Sequence, residues 1–524
     1  MTALSGRAAP FRMRPRRLVV PDPTLPLQAP PGTEAVVVGA GVAGISAAVA
    51  LAERGVRVVV VEAADTLGGR LGAWPHTLPD GTQQVVEHGF HAFFRHYYTW
   101  RSILRRIDPD LAFLAPVDGY PVTSRSWPDE DLTGLPGAPP FNLLALLLRS
   151  PSLSWRDMAG ADPDAGQALL AYDRVATPAR FDHVSAEHFL KQLGMSERAQ
   201  QMLFEAFARS FFSDPSELSA GELIAMFHYY FLGNPEGIGF DAPTTDHLTA
   251  IWHPLRRYLQ ERGTEIRTGV PVTRLAPDGP RWRLTLADNG PAEDLVTRHV
   301  VLALDPGGLQ RLLAASPGVA EAAPRLASQC AALRVAPPFA VSRLWFDRDV
   351  DAERATFTAV TGEPTLDSIT VYSRLERPSA EWAGRTGGSI VELHSYACAA
   401  PDAPTATARM RDELAGLWPE TRAMLPLHVQ ERREATAPAF PPGGAGTRPG
   451  VRTDARGVRV AGDFTEIPYL AGLMERAAMS GVLAADDVLA EVGSAGHEIL
   501  GIPQRGLLAG LPPRRVRAPG NGRG

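Results

Sequence analysis

The sequence predicts an α/β protein in which a domain built on a parallel sheet is interleaved along the chain with a mixed α+β domain. Three observations predict it. Strand, glycine turn, helix and strand succeed one another from Thr33, in "EAVVVG", "GISAAVALAERG" and "VRVVVVE", the order of a βαβ unit. Strand patterns return after a long helical stretch, in "TEIRTGVPVTRLA", "RWRLTLAD" and "RHVVLALD". Finally, "GVRVAGDF" reads as one more strand, entering a helix over about 473–492.

A chain of 524 residues suits two domains. Residues 1–32, basic and proline-rich, are expected as a flexible leader and not a signal peptide. Segments 33–97, 250–314 and 446–492 are assigned to the sheet domain. Segments 98–249, mainly helical, and 315–445, with strands such as "FAVSRLWF" and "GGSIVELHSYA", form the substrate-binding domain. Residues 493–524, rich in glycine, proline and arginine, are expected as a disordered tail.

A net charge of -6 gives no reason to expect nucleic acid. Cys330 and Cys398 make no disulfide framework and fit a reducing cytoplasm. No zinc-type spacing occurs, and no metal is expected. Lys191 is the only lysine, so a mechanism that needs one must use it. The apolar run "FNLLALLL" is far shorter than the roughly 20 residues that span a bilayer. The surrounding "PPFNLLALLLRSPSLSW" either rests on a membrane surface or is a buried core helix.

The glycine turn carries the first chemistry. "GAGVAG" sets Gly39, Gly41 and Gly44 in a G-x-G-x-x-G pattern between strand and helix. The first glycine permits the tight turn, the second lets the backbone approach a diphosphate, and the third packs helix on strand. The diphosphate then meets the free N–H groups of the helix start. Glu62 ends the next strand, where a carboxylate accepts hydrogen bonds from an adenosine ribose. This is a Rossmann-like dinucleotide site.

Motifs beyond Glu62 separate the dinucleotides. "AADTLGGRLGAW", with Gly68, Gly69 and Arg70, resembles the FAD-binding signature of flavin amine oxidases and carotene desaturases. "VRVAGDFTE", with Gly462 and Asp463, resembles the C-terminal motif of the same superfamily, where a carboxylate meets the ribityl-pyrophosphate region. "RTGVPVTRL" resembles the strand whose backbone meets adenine, with Val272 as the contact. The resemblance implies FAD and a flavin amine oxidase or GDI-like fold.

Four further stretches, "HGFHAFFRHYY", "SFFSDPSELSAGELIAMFHYYFLG", "FDAPTTDHLTAIWHPLRRYL" and "AGDFTEIPYLAGLMERAAMSG", resemble the bacterial carotenoid ring desaturase/methyltransferases (carotenoid φ-ring synthases). The resemblance runs from about Thr33 to Val492. It implies conversion of the β-ionone rings of β- or γ-carotene to aromatic φ-rings, with four hydrogens removed per ring and a 1,2-methyl shift through a ring cation. It also implies a bacterial cytoplasmic protein, peripheral on the inner face of the cell membrane. One departure stands out: Glu475 is followed by Arg476 where plant-type desaturases have glycine, with one extra residue upstream.

The run 87–100, "EHGFHAFFRHYYTW", mixes histidines with aromatics. His88 reads as flavin-facing or as a hydrogen-bonded core histidine, Gly89 as a close approach to the flavin, and His91 as a proton acceptor. Glu475, and in reserve Asp241, are the other candidate bases. Phe90, Phe93, Phe94, Tyr97 and Tyr98 line a carotenoid tunnel or are ordinary core, as do Phe227 and His228 of "MFHYYFLG". Two other classes stay open: an amine oxidase, whose members place a lysine near the flavin, and a lipid carrier resembling Rab GDP-dissociation inhibitors.

Overall fold

The computed structural model describes residues 15–137, 141–287 and 293–510. The valine runs "EAVVV" and "RVVVV" form the strands Glu34–Val38 and Arg57–Val61. β-Branched residues favour extended backbone, and near-continuous apolar runs suit strands covered on both faces. They lie inside a five-stranded parallel sheet in the order Glu265–Arg267, Arg57–Val61, Glu34–Val38, His299–Leu302, Val458–Val460. Strands from three distant segments thus build one sheet. The helix Val42–Glu53 is buried over nearly its whole length because it packs between this sheet and the long helix Leu473–Glu491.

A second, seven-stranded sheet runs Pro426–Glu434, Phe339–Phe346, Ser389–Ser395, Ser368–Val371, Phe357–Val360, Pro121–Thr123, Glu130–Asp131. Every residue of Phe339–Phe346 and Ser389–Ser395 is buried, the charged Arg343 and Glu392 included. A small antiparallel sheet joins Phe93–Phe94, Phe240–Pro243 and Leu114–Pro116. Phe93–Phe94 therefore pairs with a strand, Phe240–Pro243, placed beyond the 97/98 boundary. The helical stretch contains π-helical turns at Gln201–Glu205, His228–Leu232 and Leu248–Trp252, an irregularity that often accompanies functional sites.

Two terminal expectations need correcting. Residues 15–32 and 493–510 are built into the fold: Arg16–Val19 pairs antiparallel with Ile499–Gly501, and Pro503 accepts a hydrogen bond from His228. Composition misled here because few apolar anchors suffice when a strand partner is available. The rest of those two segments, 1–14 and 511–524, lies outside the described residues, as do 138–140 of the proline-led apolar stretch. That stretch forms the helix Phe141–Arg149, which is not a buried core helix: Phe141, Leu144 and Leu148 are exposed on one face. Among the described residues, no helix is long and apolar enough to cross a membrane.

Candidate active site

One cavity of about 750 Å³ is walled by both halves of the molecule. Gly39, Gly41, Glu62, Gly68, Gly69, Arg70, Val272, Gly462 and Asp463 form the wall on the parallel-sheet side. The three glycines of the first turn do different things. Gly39 has φ +100, and a Cβ there would stand 2.4 Å from the Ala303 carbonyl oxygen. Gly44 does not reach the cavity; its Cβ would fall 1.9 Å from the Gly39 carbonyl oxygen, so the helix could not close on the strand. At Gly41 the nearest protein atoms to such a Cβ are 3.9 Å away. The protein leaves that space open, and a Cβ would fill it. The helix starting at Val42 has no side-chain cap, so its first N–H groups are left for an anion.

Glu62 braces this turn. Its carboxylate accepts hydrogen bonds from the N–H of Ala40 at 2.6 Å and of Ala64 at 2.8 Å. The second glycine turn docks on the first through Gly68 N–H to the Ala40 carbonyl at 2.9 Å. Arg70 forms an ion pair with Asp463 at 2.7 Å. Arg476, the departure from the plant-type pattern, holds the same loop: it donates to the carbonyls of Ala471 at 2.7 Å and Asp463 at 3.4 Å, and pairs with Glu222 at 2.6 Å. Leu473, at the start of the long helix and in the cavity wall, has φ 47. Such a non-glycine conformation is held only where the surroundings over-determine it. An open diphosphate cradle, a braced acid and a carboxylate–arginine pair fit FAD.

The opposite wall is aromatic. Phe90 stacks on Phe357 with ring centroids 5.1 Å apart, and Phe94 meets Tyr230 edge-on at 4.9 Å. Tyr97, Tyr120, Phe207, Phe212, Phe240 and Phe339 also line it. Phe93 does not line the cavity: successive strand residues face opposite ways, so Phe93 packs fully buried against His247. Tyr98 also lies outside the wall. In "MFHYYFLG" the π-turn brings Tyr230 to the cavity, whereas Phe227 stacks on Phe204 and Phe231. His228 turns away to Tyr172 and the Pro503 carbonyl. These three substrate-lining expectations, Phe93, Phe227 and His228, are corrected to core packing.

The candidate acid/base groups separate. Glu475 stays out of the cavity; its two oxygens accept the N–H groups of Thr99 and Trp100 at 2.8 and 2.9 Å. It caps the helix Tyr98–Leu104, and burial raises its carboxyl to about 7 against those hydrogen bonds. Asp241 pairs with Arg95 and Arg101. His88 and His91 do line the cavity. His91 Nδ1 donates to the Gly89 carbonyl at 2.8 Å, which a carbonyl can only accept, so Nε2 keeps a lone pair. Burial, then the charge of Arg432 at His88 and the proximity of the His247 ring at His91, holds both imidazoles down to about 3 and neutral. Gly89 is not at the cavity wall. Its φ is +128, and a Cβ would lie 2.9 Å from the His394 ring, so the glycine seats that imidazole and not a flavin.

His394, with Tyr396 just beyond the end of its strand, also lines the cavity and was not foreseen. Behind it lies a buried charge network. Glu392 bonds His394 Nε2 at 2.7 Å, the Phe90 N–H at 2.7 Å and Arg343 Nε at 2.9 Å. Burial works to raise the Glu392 carboxyl, but the Arg343 guanidinium and the His394 hydrogen bond outweigh it and hold it at about 2. The signal was present in "SIVELHS": two polar residues, two apart, on one face of a buried strand. Among the described residues, no group of three or more His, Cys, Asp or Glu side chains is placed to hold a metal ion. Lys191 is exposed on the helix Ala186–Leu193, paired with Glu187 at 2.5 Å.

A dinucleotide cradle opening into a dry aromatic chamber defines a flavin-dependent oxidoreductase. Residues 42–489 match the family described as flavin containing amine oxidoreductase, and the chain belongs to that family, whose cofactor here is FAD. It is 43% identical over 488 residues to the carotenoid phi-ring synthase of Streptomyces griseus, covering 92% of each chain. It is 27% identical over 599 aligned positions to the carotenoid phi-ring synthase of Chlorobaculum tepidum, covering 91% of each. Among solved structures, cyclohexylamine oxidase from Brevibacterium oxydans IH-35A matches with a TM-score of 0.62 at 17% identity, over 88% of this chain and 100% of that one, a likeness of fold.

Proposed function

We propose that this chain converts the β-ionone ring of a carotenoid such as β- or γ-carotene to an aromatic φ-ring, using FAD. The observation that carries the proposal is the shared cavity: FAD-side residues and a wall of aromatic rings enclose one space. The kinship with two carotenoid phi-ring synthases supports the same reading. The lysine expected of an amine oxidase is absent from this cavity, since Lys191 faces solvent.

FAD, when bound, supplies a two-electron, hydride-accepting oxidant. The open turn at Gly41 and the uncapped helix start would receive its diphosphate; Glu62 would serve the ribose, Val272 the adenine, and Arg70 with Asp463 the ribityl side. His88, in the same cavity wall, would face the flavin. The aromatic wall does the rest of the protein's work. Phe90, Phe94, Phe240 and Phe357 exclude water, which would capture a ring cation before the methyl group migrates. Their faces also stabilise that cation through the ring quadrupole. Neutral His88 and His91 add no competing positive charge.

The substrate dissolves in bilayers, and the helix Phe141–Arg149 offers the contact. Its exposed Phe141, Leu144 and Leu148 form the apolar face of a surface-lying helix. On the other face, buried Asn142 bonds the carbonyl of Phe231, next to Tyr230 of the cavity wall. This arrangement supports contact with a membrane surface, which in our reading is the inner face of a bacterial cell membrane. Expression in a host accumulating β-carotene tests the function: pigments with aromatic rings are expected, and unchanged β-carotene beside soluble, flavin-loaded protein would refute it.

A further inference from the structure

Three imidazoles reach the cavity, and only one has a carboxylate within 3 Å: His88 lies 3.5 Å from Glu434, His91 bonds a carbonyl, and His394 bonds Glu392 at 2.7 Å. The Phe90 N–H is shared between Glu392 at 2.7 Å and, more distantly, His394 Nε2 at 3.3 Å. The short 2.7 Å contact of Nε2 with Glu392, a carboxylate kept ionised against burial by Arg343 and by this hydrogen bond, assigns the ring hydrogen to Nε2, which leaves the lone pair on Nδ1. Nδ1 has no protein partner and is not among the sealed polar atoms.

We propose that His394, backed by Glu392, is the base that takes up the protons released as the carotenoid ring aromatises. The role rests on the function proposed above. Each two-electron oxidation of the ring would deliver a hydride to FAD, with the reduced flavin reoxidised between the two oxidations by an electron acceptor such as a quinone, and would leave one proton to be lost. A ring C–H bond breaks, its electron pair enters the ring π system, and the proton forms an N–H bond at His394 Nδ1. The resulting imidazolium lies against the Glu392 carboxylate. His91 has no such partner, and its neighbours His247, His394 and Arg70 oppose a positive charge on it; the mutual opposition of His91 and His394 leaves the proton to the ring that has a carboxylate behind it.

The groups facing His394 come from every element around it. Glu392 lies on its own strand and Tyr396 just past the strand's end, Arg343 sits on the adjoining strand against Glu392, and His91 faces it within electrostatic reach. Asp367 bonds its backbone from the other side, and Phe90 approaches from the loop that carries His91. Of these, Glu392 alone is a carboxylate in contact with the ring.

The test compares purified, FAD-loaded wild type with His394→Gln and His91→Gln, using β-carotene in vesicles with a quinone as electron acceptor. A positioned general base contributes roughly 10²–10⁴-fold. His394→Gln is expected to slow ring conversion at least about 100-fold and to abolish the acid limb of the pH–rate profile, with FAD content and carotenoid binding retained. His91→Gln is expected to keep that limb. Histidine ¹⁵N NMR of the wild-type protein gives a readout without turnover: the resonance pair lost in His394→Gln should show hydrogen on Nε2 and none on Nδ1. Near-normal conversion by His394→Gln with the limb intact overturns the role, as does hydrogen on Nδ1. A wild type that leaves the ring unchanged overturns the proposed function and this role together.

Discussion

Arg70 and Asp463 form an ion pair at 2.7 Å although 393 residues separate them. The pair ties the second glycine turn to the C-terminal motif and is partly screened from solvent, with side-chain exposures of 30% and 7%. Hydrogen bonds to charged groups contribute about 1.5–3 kcal/mol. Asp463→Ala should therefore weaken FAD binding by roughly 10- to 150-fold, read by titrating apoprotein with FAD and following flavin fluorescence. Unchanged affinity would place the pair outside the cofactor site.

Gly41 and Gly44 separate cofactor from fold. Because a Cβ at Gly41 meets no protein atom within 3.9 Å, Gly41→Val should leave the melting temperature of the apoprotein unchanged while abolishing flavin loading. Gly44→Ala collides with the Gly39 carbonyl at 1.9 Å and should lower the apoprotein's melting temperature itself. A destabilised Gly41→Val apoprotein would show that the turn is needed by the chain and not by its ligand.

His96 sits among the rings of Phe94, Tyr97, Tyr229 and Tyr230 with neither nitrogen hydrogen-bonded. Burial lowers it from 6.5 to about 3. Between those values the unfolded chain binds a proton that the folded chain does not, so stability present above pH 6.5 is lost as pH falls. At pH 5.5 the loss is about 1.4 kcal/mol relative to pH 7.5. His96→Phe should match or exceed wild-type stability at pH 7.5 in urea denaturation, and its decline to pH 5.5 should be shallower by that amount. An identical decline in both proteins would mean that His96 is not the source.

The exposed face of Phe141–Arg149 predicts binding to vesicles. Leu144→Asp with Leu148→Asp should shift the protein from pellet to supernatant in vesicle sedimentation, with FAD content unchanged. Equal sedimentation of wild type and variant would remove this helix as the contact.

The local elements were legible where one rule dominated. Valine runs flanking "GAGVAG" could only form buried parallel strands, and the GGR and GDF motifs mark their ligand wherever they stand. The aromatic wall was half legible. Alternation separates Phe94 from Phe93, but the π-turn that selects Tyr230 over Phe227 and His228 is a backbone irregularity with no local sequence code. Glu475 looked chemical because it lies just after a cofactor motif; it is spent on the helix start at Thr99 and Trp100. His394 stayed hidden because its partners Arg343, Phe90 and Glu392 come together only when two strands and a loop meet.

The most direct test is a reaction of the purified yellow protein with β-carotene in vesicles, with a quinone supplied to reoxidise the flavin between the two oxidations of each ring, read by mass spectrometry of the extracted pigment. The account predicts a product lighter by four hydrogens for each ring converted, with every carbon retained and aromatic proton signals in its NMR spectrum. A pigment of unchanged mass, or one that has lost hydrogens from the polyene chain with both end rings intact, would contradict it.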